Sequence, residues 1–495
     1  MYLLGIDIGT SSVKVSVVDV ASQQTIASVS YPETEAAIHS LKPGWAEQSP
    51  SDWWTFTQKA ILLLSESEKI DTKKIDAIGI AYQMHGLVIV DKNQNVLRDS
   101  IIWCDSRAVD IGNDAFVHLG ETLCLENLLN SPGNFTASKL AWVKANEPEI
   151  YAQIDKVMLP GDYIAMQLTG EITTSISALS EGIFWDFKQN NLSQDLLNYY
   201  GIDEQLIAEQ RPLFSIHGYL KENIASHLGL KHGIPVSYKA GDQPNNALSL
   251  NVLKPGEVAA TAGTSGVIYG VSSDLTYDRK SRVNTFAHVT YTPENPNTGV
   301  LLCINGTGSM YRWAKYNFAP HLSYPEINEL SAKAPIGSNG LKVLPFGNGA
   351  ERMLGNKYTG GQLIGIDLNK HTLADIFRAV QEGIAFAFRY GLDIMRENGM
   401  QPKVIRAGRA NLFLSDVFAQ TFVDVTGIRL ELYENDGSVG AAIGAGIGAG
   451  IFKSPEEAFS QHKMIGHLEP KNSLDYEGIY KEWKQVLINQ LNNLK

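Results

Sequence analysis

Cysteine is scarce in this chain. Cys104, Cys124 and Cys303 are the only three in 495 residues, an odd number at wide spacing. No zinc-ligand pattern or disulfide framework follows from that spacing, and a reducing cytoplasm suits it. Positive charge is also short: 41 Lys and Arg stand against 53 Asp and Glu, a net charge of −12. Nucleic acid is held by clustered Lys and Arg, so no nucleic-acid partner is expected, although local backbone donors can still bind a small anion. Long apolar runs are missing as well. The chain opens Met1-Tyr2-Leu3-Leu4-Gly5-Ile6-Asp7, without a basic leader or a stretch of about 20 apolar residues. Neither a signal peptide nor a membrane span is expected.

What is present is an ordinary globular composition, 44% hydrophobic and 19% charged. At 495 residues the chain exceeds one ordinary core. Two domains are expected, residues 1–245 and 246–495.

The chemistry concentrates around Ala240-Gly241-Asp242-Gln243. The apolar run Pro235-Val236-Ser237-Tyr238 reads as a strand leading into a sharp Gly and then a lone carboxylate. Asp242 is suited to taking a proton from a substrate hydroxyl. Soon after comes a Gly-rich turn, Ala262-Gly263-Thr264-Ser265-Gly266, followed by strand-like Val267-Ile268-Tyr269. An earlier turn, Gly9-Thr10-Ser11-Ser12, lies between two strand-like runs, with Asp7 before it and Lys14 after it. Glycine lets a phosphate approach the backbone, and successive N–H groups in such a turn can face it. Alone, the first turn reads equally well as a plain hairpin. The Gly-Thr-Ser repeat, once early in each half, argues for a duplicated architecture with a nucleotide between the halves.

Asp7-Ile8-Gly9-Thr10-Ser11-Ser12-Val13-Lys14, Gly241-Asp242 and Gly263-Thr264-Ser265 resemble, in order and over nearly the whole chain, the FGGY family of carbohydrate kinases. That family belongs with actin, hexokinase and the heat-shock chaperone ATPases. The resemblance implies an α/β fold of two ribonuclease-H-like domains with a ligand cleft between them, closing on a sugar and MgATP. Gln83-Met84-His85-Gly86 follows the strand-like Ile75 to Tyr82 and resembles the signature that lines the sugar pocket in the xylulokinase subfamily. Trp103-Cys104-Asp105-Ser106-Arg107 matches the family's Trp-x-Asp-x-Arg pattern near the sugar. Trp103 offers a face for sugar C–H groups, whereas Asp105 and Arg107 could equally pair with each other. Gln243 joins the expected substrate-binding set beside Asp242.

Other stretches fit the family with departures. Gly408-Arg409-Ala410-Asn411 replaces a Gly-rich adenine loop, leaving Gly408 and Asn411 as expected nucleotide contacts. Ala350 separates Gly349 from Glu351 where the family has the two adjacent. Asp162 reads as a helix cap. Trp45, Glu47 and Gln48 read as supporting structure ahead of a helix carrying Trp53, Phe56, Ala60, Leu63 and Leu64 at helical spacing. Leu87 to Val90 and Val96 to Leu97 read as a hairpin. Thr372-Leu373-Ala374-Asp375 is a capping box opening a long helix that stops at Asn398-Gly399. Gly383 within it, and Gly444 to Gly450 near the C-terminus, read as close-packing positions.

The expected function is therefore ATP-dependent, Mg²⁺-assisted phosphorylation of a sugar, with D-xylulose foremost and Asp242 as general base. The two Gly-Thr-Ser turns and Lys14 are expected at the phosphates, and Asp7 at the metal. Other FGGY substrates such as gluconate, ribulose or glycerol remain open. So do a chaperone-like or cytoskeletal ATPase and a sugar sensor without catalysis, although the first would not need the Gln83–Gly86 and Trp103–Arg107 stretches and the second would not need Asp242. A homodimer is compatible with the sequence, which does not specify one.

Overall fold

The computed structural model describes residues 1–66 and 70–494. It contains two compact units, and neither is one continuous piece of chain. The first comprises Met1–Leu253, Phe286–Thr298 and Asp436–His462; the second comprises Lys254–Thr285, Gly299–Asn435 and Lys463–Lys495.

The first unit is built on strands β1 (Tyr2–Ile8), β2 (Val13–Asp19), β3 (Thr25–Tyr31), β4 (Ile75–Tyr82), β5 (Gly218–Tyr219) and β6 (Pro235–Gly241). Their order in the sheet is β5-β6-β4-β1-β2-β3. β1, β2 and β3 form an antiparallel meander, while β4 runs parallel to β1 and β6 parallel to β4. β1, β4 and β6 read as nearly continuous apolar runs because both faces of the sheet are covered. Leu4, Ile6, Ile78 and Ile80 pack with Trp53, Ile61 and Leu64 of helix Pro50–Ser65 on one side. Leu3, Ala77 and Ala81 pack with Ala441, Ala442 and Ala445 on the other.

A second sheet repeats the plan with β7 (Glu257–Ala262), β8 (Gly266–Ser272), β9 (Asn284–Ala287), β10 (Thr298–Ile304), β11 (Val404–Gly408), β12 (Leu430–Tyr433) and β13 (Met464–Leu468), all in the second unit except Phe286, Ala287 and Thr298. The sheet order is β9-β10-β8-β7-β11-β12-β13. β7 and β8 are antiparallel, and β11 and β12 continue parallel to β7. In each sheet a Gly-Thr-Ser turn joins an antiparallel pair whose first strand is flanked by a parallel strand. The repeat seen in the sequence is thus a repeat of topology.

Helix Gly437–Gly448 explains why Asp436–His462 belongs to the first unit, although the sequence suggests a single division near residue 245. Glycines on both contacting surfaces bring its backbone against the sheet. A Cβ on Gly5 would lie 1.7 Å from the Ser438 carbonyl oxygen, and one on Gly79 would lie 1.9 Å from that of Ala441. From the helix side, a Cβ on Gly448 would lie 1.8 Å from the Ser237 carbonyl oxygen. Close packing thus accounts for Gly444 and Gly448, while Gly450 has open space and a left-handed φ of 70°.

The long helix runs Leu373–Glu397, and Thr372 and Asp375 cap it reciprocally. A Cβ on Gly383 would meet the Val343 carbonyl oxygen at 2.3 Å, so this glycine too is set by packing. One local expectation is corrected. Leu63 faces outward, because the buried stripe of the helix runs through Trp53, Thr57, Ala60, Ile61 and Leu64 and residue 63 lies about 160° around the helix from residue 61. The expected hairpin is present: Val90 bridges Val96 antiparallel, Asp91 N–H donates to the Asn95 carbonyl oxygen at 3.0 Å and Leu97 N–H to that of Ile89 at 3.1 Å, while Val88–Val90 also pairs antiparallel with Lys156–Met158. Among the described residues no helix is long and apolar enough to cross a membrane.

Candidate active site

In the first unit the ends of two neighbouring parallel strands bring the main polar groups together. Gly241 on β6 is in register with Tyr82 on β4. Asp242 therefore leaves the sheet beside Gln83-Met84-His85-Gly86, the region outside the carboxyl ends of parallel strands where α/β sheets bind ligands. Asp242 is the first residue of helix Asp242–Ser249. Burial pushes its carboxyl up to about 6, opposed by hydrogen bonds from the Gln243 side chain and backbone.

Gln83 is used for bracing. Its amide donates to Gln48 Oε1 at 2.9 Å, and Gln48 Nε2 donates to the Thr10 carbonyl oxygen at 2.8 Å. Trp103, 53% exposed, donates its indole N–H to Thr10 Oγ1 at 3.0 Å. The first Gly-Thr-Ser turn is thereby tied to both sugar-signature stretches. Met84 packs against Gly241: a Cβ there would lie 2.7 Å from Met84 Cγ. Gly86 is similarly confined, by Pro160 Cγ at 2.7 Å.

His85 has a left-handed φ of 62°. A non-glycine residue there carries strain of about 1 kcal/mol or more. Its backbone N–H donates to Glu181 Oε1 at 2.9 Å. Its ring packs on Phe135 and Phe286, with centroids 4.9 and 5.4 Å away.

Asp105 and Arg107 do pair with each other. Arg107 Nε and Nη2 lie 2.9 and 2.7 Å from Asp105 Oδ2, which also accepts from the Ala46 N–H at 2.6 Å. Arg107 reaches Glu47 at 2.6 Å and stacks 3.8 Å over Trp45. Trp45, Glu47 and Gln48 are accordingly supporting structure. Asp162 keeps its capping role, accepting from Leu159 N–H at 3.3 Å, and adds a buried pair with Lys239 at 2.5 Å.

At the end of β1, Asp7 precedes a tight turn in which Gly9 N–H donates to the Ser12 carbonyl oxygen at 3.0 Å. Ser11 accepts from the Ala36 N–H at 2.8 Å. Burial first, then the carboxylates of Asp242 and Asp436, push the Asp7 carboxyl up to about 7, with Lys14 pulling the other way. Lys14 is paired with Asp436, whose other oxygen caps helix Gly437–Gly448 through Ser438 N–H at 2.9 Å. Three acids thus influence one another. No group of three or more His, Cys, Asp or Glu among the described residues is arranged to hold a metal ion alone. The sequence reading missed Asp436 and Glu181 as site neighbours; a cap at the start of a Gly-rich helix was the only signal for the former.

In the second unit, the other Gly-Thr-Ser turn borders a cavity of about 650 Å³. Gly263, Thr264, Gly308, Tyr311, Arg312 and Asn411 are among its lining residues, whereas Ser265 and Gly408 are not. The N-terminus of helix Gly308–Phe318 seats on the turn, with Gly308 N–H donating to the Gly263 carbonyl oxygen and Ser309 N–H to that of Thr264, both at 3.0 Å. Asn411 has a left-handed φ of 54°, and its amide nitrogen lies 3.6 Å from the Cβ position of Gly263. A Cβ on Gly408 would instead meet Asn435 Cβ at 3.0 Å.

Glu351 has a clear place despite the inserted Ala350. Its oxygens accept from Asn305 N–H at 2.9 and 3.0 Å and from Gly306 N–H at 3.2 Å. It braces the loop that starts helix Gly308–Phe318. Burial pushes its carboxyl up to about 7 against those hydrogen bonds.

Known proteins resemble the chain over nearly its full length. The chain is 31% identical to a xylulose kinase of Staphylococcus epidermidis, covering 99% of this chain and 98% of that one. It is 31% identical to a xylulose kinase of Bacillus subtilis, covering 98% and 96%. The crystal structure of xylulose kinase from Rhodospirillum rubrum superposes with a TM-score of 0.88 at 25% identity, over 99% of each chain. Residues 2–249 match the N-terminal domain of the FGGY family of carbohydrate kinases, and residues 258–449 match its C-terminal domain. Both halves are matched in order and the phosphate-type turn recurs at the same place in each sheet, so the chain belongs to the FGGY family of carbohydrate kinases.

Proposed function

We propose that this carbohydrate kinase transfers the γ-phosphoryl group of ATP to D-xylulose, giving D-xylulose 5-phosphate. One observation carries the reading: Asp242 and Gln83-Met84-His85-Gly86 emerge from adjacent, in-register strands, which sets one carboxylate beside groups suited to a polyol. The full-length likeness to xylulose kinases supports the choice of sugar.

In this mechanism Asp242 accepts the proton of the attacking hydroxyl, its raised carboxyl lying near working pH. Gln243, Met84, His85, Gly86 and Trp103 border the sugar. Gln83 and Asp105 act one step back, bracing Thr10 and Ala46. Gly9, Thr10, Ser11 and Ser12, together with Gly263, Thr264 and Ser265, present backbone and hydroxyl donors to the phosphates. Asn411 serves the adenine side, with Gly408 shaping its loop. Lys14 acts through Asp436 as well as through its own charge.

Asp7 fits a Mg²⁺ ion, because its carboxyl is raised by burial and then by the neighbouring Asp242 and Asp436 carboxylates, and a cation there would favour its charged form. With no complete protein cage among the described residues, Asp7 would share the ion with nucleotide oxygens and water. When bound, Mg²⁺ supplies charge neutralisation at the transferring phosphoryl group. Cys104, Cys124 and Cys303 form no disulfide, which accords with a cytoplasmic enzyme.

Gluconate fits less well. Arg107, the cation nearest the sugar signatures in sequence, is buried and spent on Asp105 and Glu47. A coupled assay against ketoses, aldonates and polyols tests the assignment. D-xylulose is expected to give the highest kcat/KM, and a gluconate or ribulose value about tenfold above it would sink the substrate assignment.

A further inference from the structure

Three atoms of His85 are held by two buried side-chain bearers. The N–H donates to Glu181 Oε1 at 2.9 Å, and ring Nδ1 lies 3.1 Å from the Glu181 carbonyl oxygen. The His85 carbonyl accepts from Lys139 Nζ at 2.8 Å. Glu181 is 1% exposed and Lys139 fully buried. Such an investment of buried polar groups suits a residue in a left-handed conformation, which persists only where its surroundings over-determine it.

Each holder also reaches a second segment of the proposed sugar site. Lys139 Nζ donates to the Ile102 carbonyl oxygen at 3.0 Å, directly before Trp103. Glu181 Oε2 lies 2.7 Å from the Cβ position of Gly241, directly before Asp242. Neither residue stands out in the sequence, since Glu181 ends the short helix Ile176–Glu181 and Lys139 lies within helix Thr136–Asn146.

We infer that Glu181 and Lys139 are positioning residues for the sugar site, holding His85 in its left-handed conformation and setting the spacing of His85, Trp103 and Asp242 around an uncharged polyol. The inference rests on the sugar-site reading above. Burial holds the Glu181 carboxyl well above its usual range and brings the Lys139 ammonium down to about 7. A protonated Glu181 still accepts from His85 N–H, so its role is one of shape and hydrogen bonding that glutamine can reproduce.

The test is steady-state kinetics on the full chain, using whichever sugar the substrate panel ranks first, with Tm measured alongside. Glu181→Ala and Lys139→Met are expected to raise the sugar KM by about tenfold while the ATP KM stays within about twofold. Glu181→Gln is expected to restore the sugar KM to within about threefold of the native value. His85→Gly adopts a positive φ unaided. In that background Glu181→Ala should add little, whereas independent sites would add their effects. Additive effects there, or a Glu181→Ala or Lys139→Met protein of native Tm with native sugar KM, would overturn the inference. So would equal rises in both KM values. If Glu181→Ala does not fold, Lys139→Met and Glu181→Gln decide the matter. A panel led by another sugar removes the xylulose assignment and leaves this test intact on that sugar.

Discussion

Asn245 donates its side-chain amide to the carbonyl oxygen of Gly437 at 2.8 Å. The two residues are 192 apart in sequence, yet this bond sets the start of helix Gly437–Gly448 beside the helix that Asp242 opens. Asp7 lies against the same spot, with Oδ2 2.1 Å from where a Cβ on Gly437 would be.

Gly437→Ala should therefore displace the Asp7 carboxylate. Overpacking of this kind costs about 1–3 kcal/mol. The expected result is a raised apparent KM for Mg²⁺ and a lowered Tm, read from turnover against magnesium concentration and from thermal unfolding. Unchanged magnesium dependence would separate Asp7 from the metal.

Asp242→Asn should lower turnover by ~10²–10⁴ while nucleotide binding survives. In the native enzyme the acid limb of the kcat/KM profile should have a midpoint near 6, because the base works only when deprotonated and burial raises its carboxyl to about 6. Calorimetric ATP titration and a pH–rate profile check both points. A native enzyme with a flat profile from pH 5 to 8 would count against Asp242 as the base.

Asp7→Asn should stabilise the metal-free protein at high pH. The Asp7 carboxyl rises from 3.8 to about 7 on folding, so the folded chain binds its proton more tightly than the unfolded chain does. Its ionisation therefore costs stability progressively as pH rises from about 4 to about 7. Denaturant unfolding in a chelator should show the variant ahead at pH 8, with the gap closing toward pH 4. Turnover should fall in the same variant.

Glu351→Ala should raise the ATP KM more than the sugar KM. It strips the acceptor from Asn305 and Gly306 N–H groups, at a cost of about 1–3 kcal/mol for buried donors left unpaired. The loop it braces starts helix Gly308–Phe318, which seats on Gly263 and Thr264. Equal changes in both KM values would show that Glu351 acts on stability alone.

Much of the plan was legible in the chain. The Gly-Thr-Ser turns at Gly9 and Gly263 sit between strands because β-branched and apolar runs flank a flexible glycine. The capping box at Thr372 and the stop after Glu397 likewise follow from local hydrogen-bond chemistry. Asp242 stood out as a single carboxylate placed just after a buried strand.

Local pattern does not register long-range partners. The pairing of Asp105 with Arg107 was one of two readings open in the sequence, but nothing near Asp105 announced the Ala46 N–H as its further partner. Glu181 and Lys139 became visible only when folding buried them against His85. Residues 436–462 join the first unit because glycines at Gly5, Gly79 and Gly448 admit backbone-to-backbone contact, which no periodicity records. The sequence by itself determined the strands, the turns, the caps and the carboxylate proposed as base. Only tertiary structure decided which polar groups are consumed as braces, and it set how far burial and neighbouring charge move the carboxyls of Asp7, Asp242 and Glu351, because desolvation and Coulomb interaction depend on distance in space rather than along the chain.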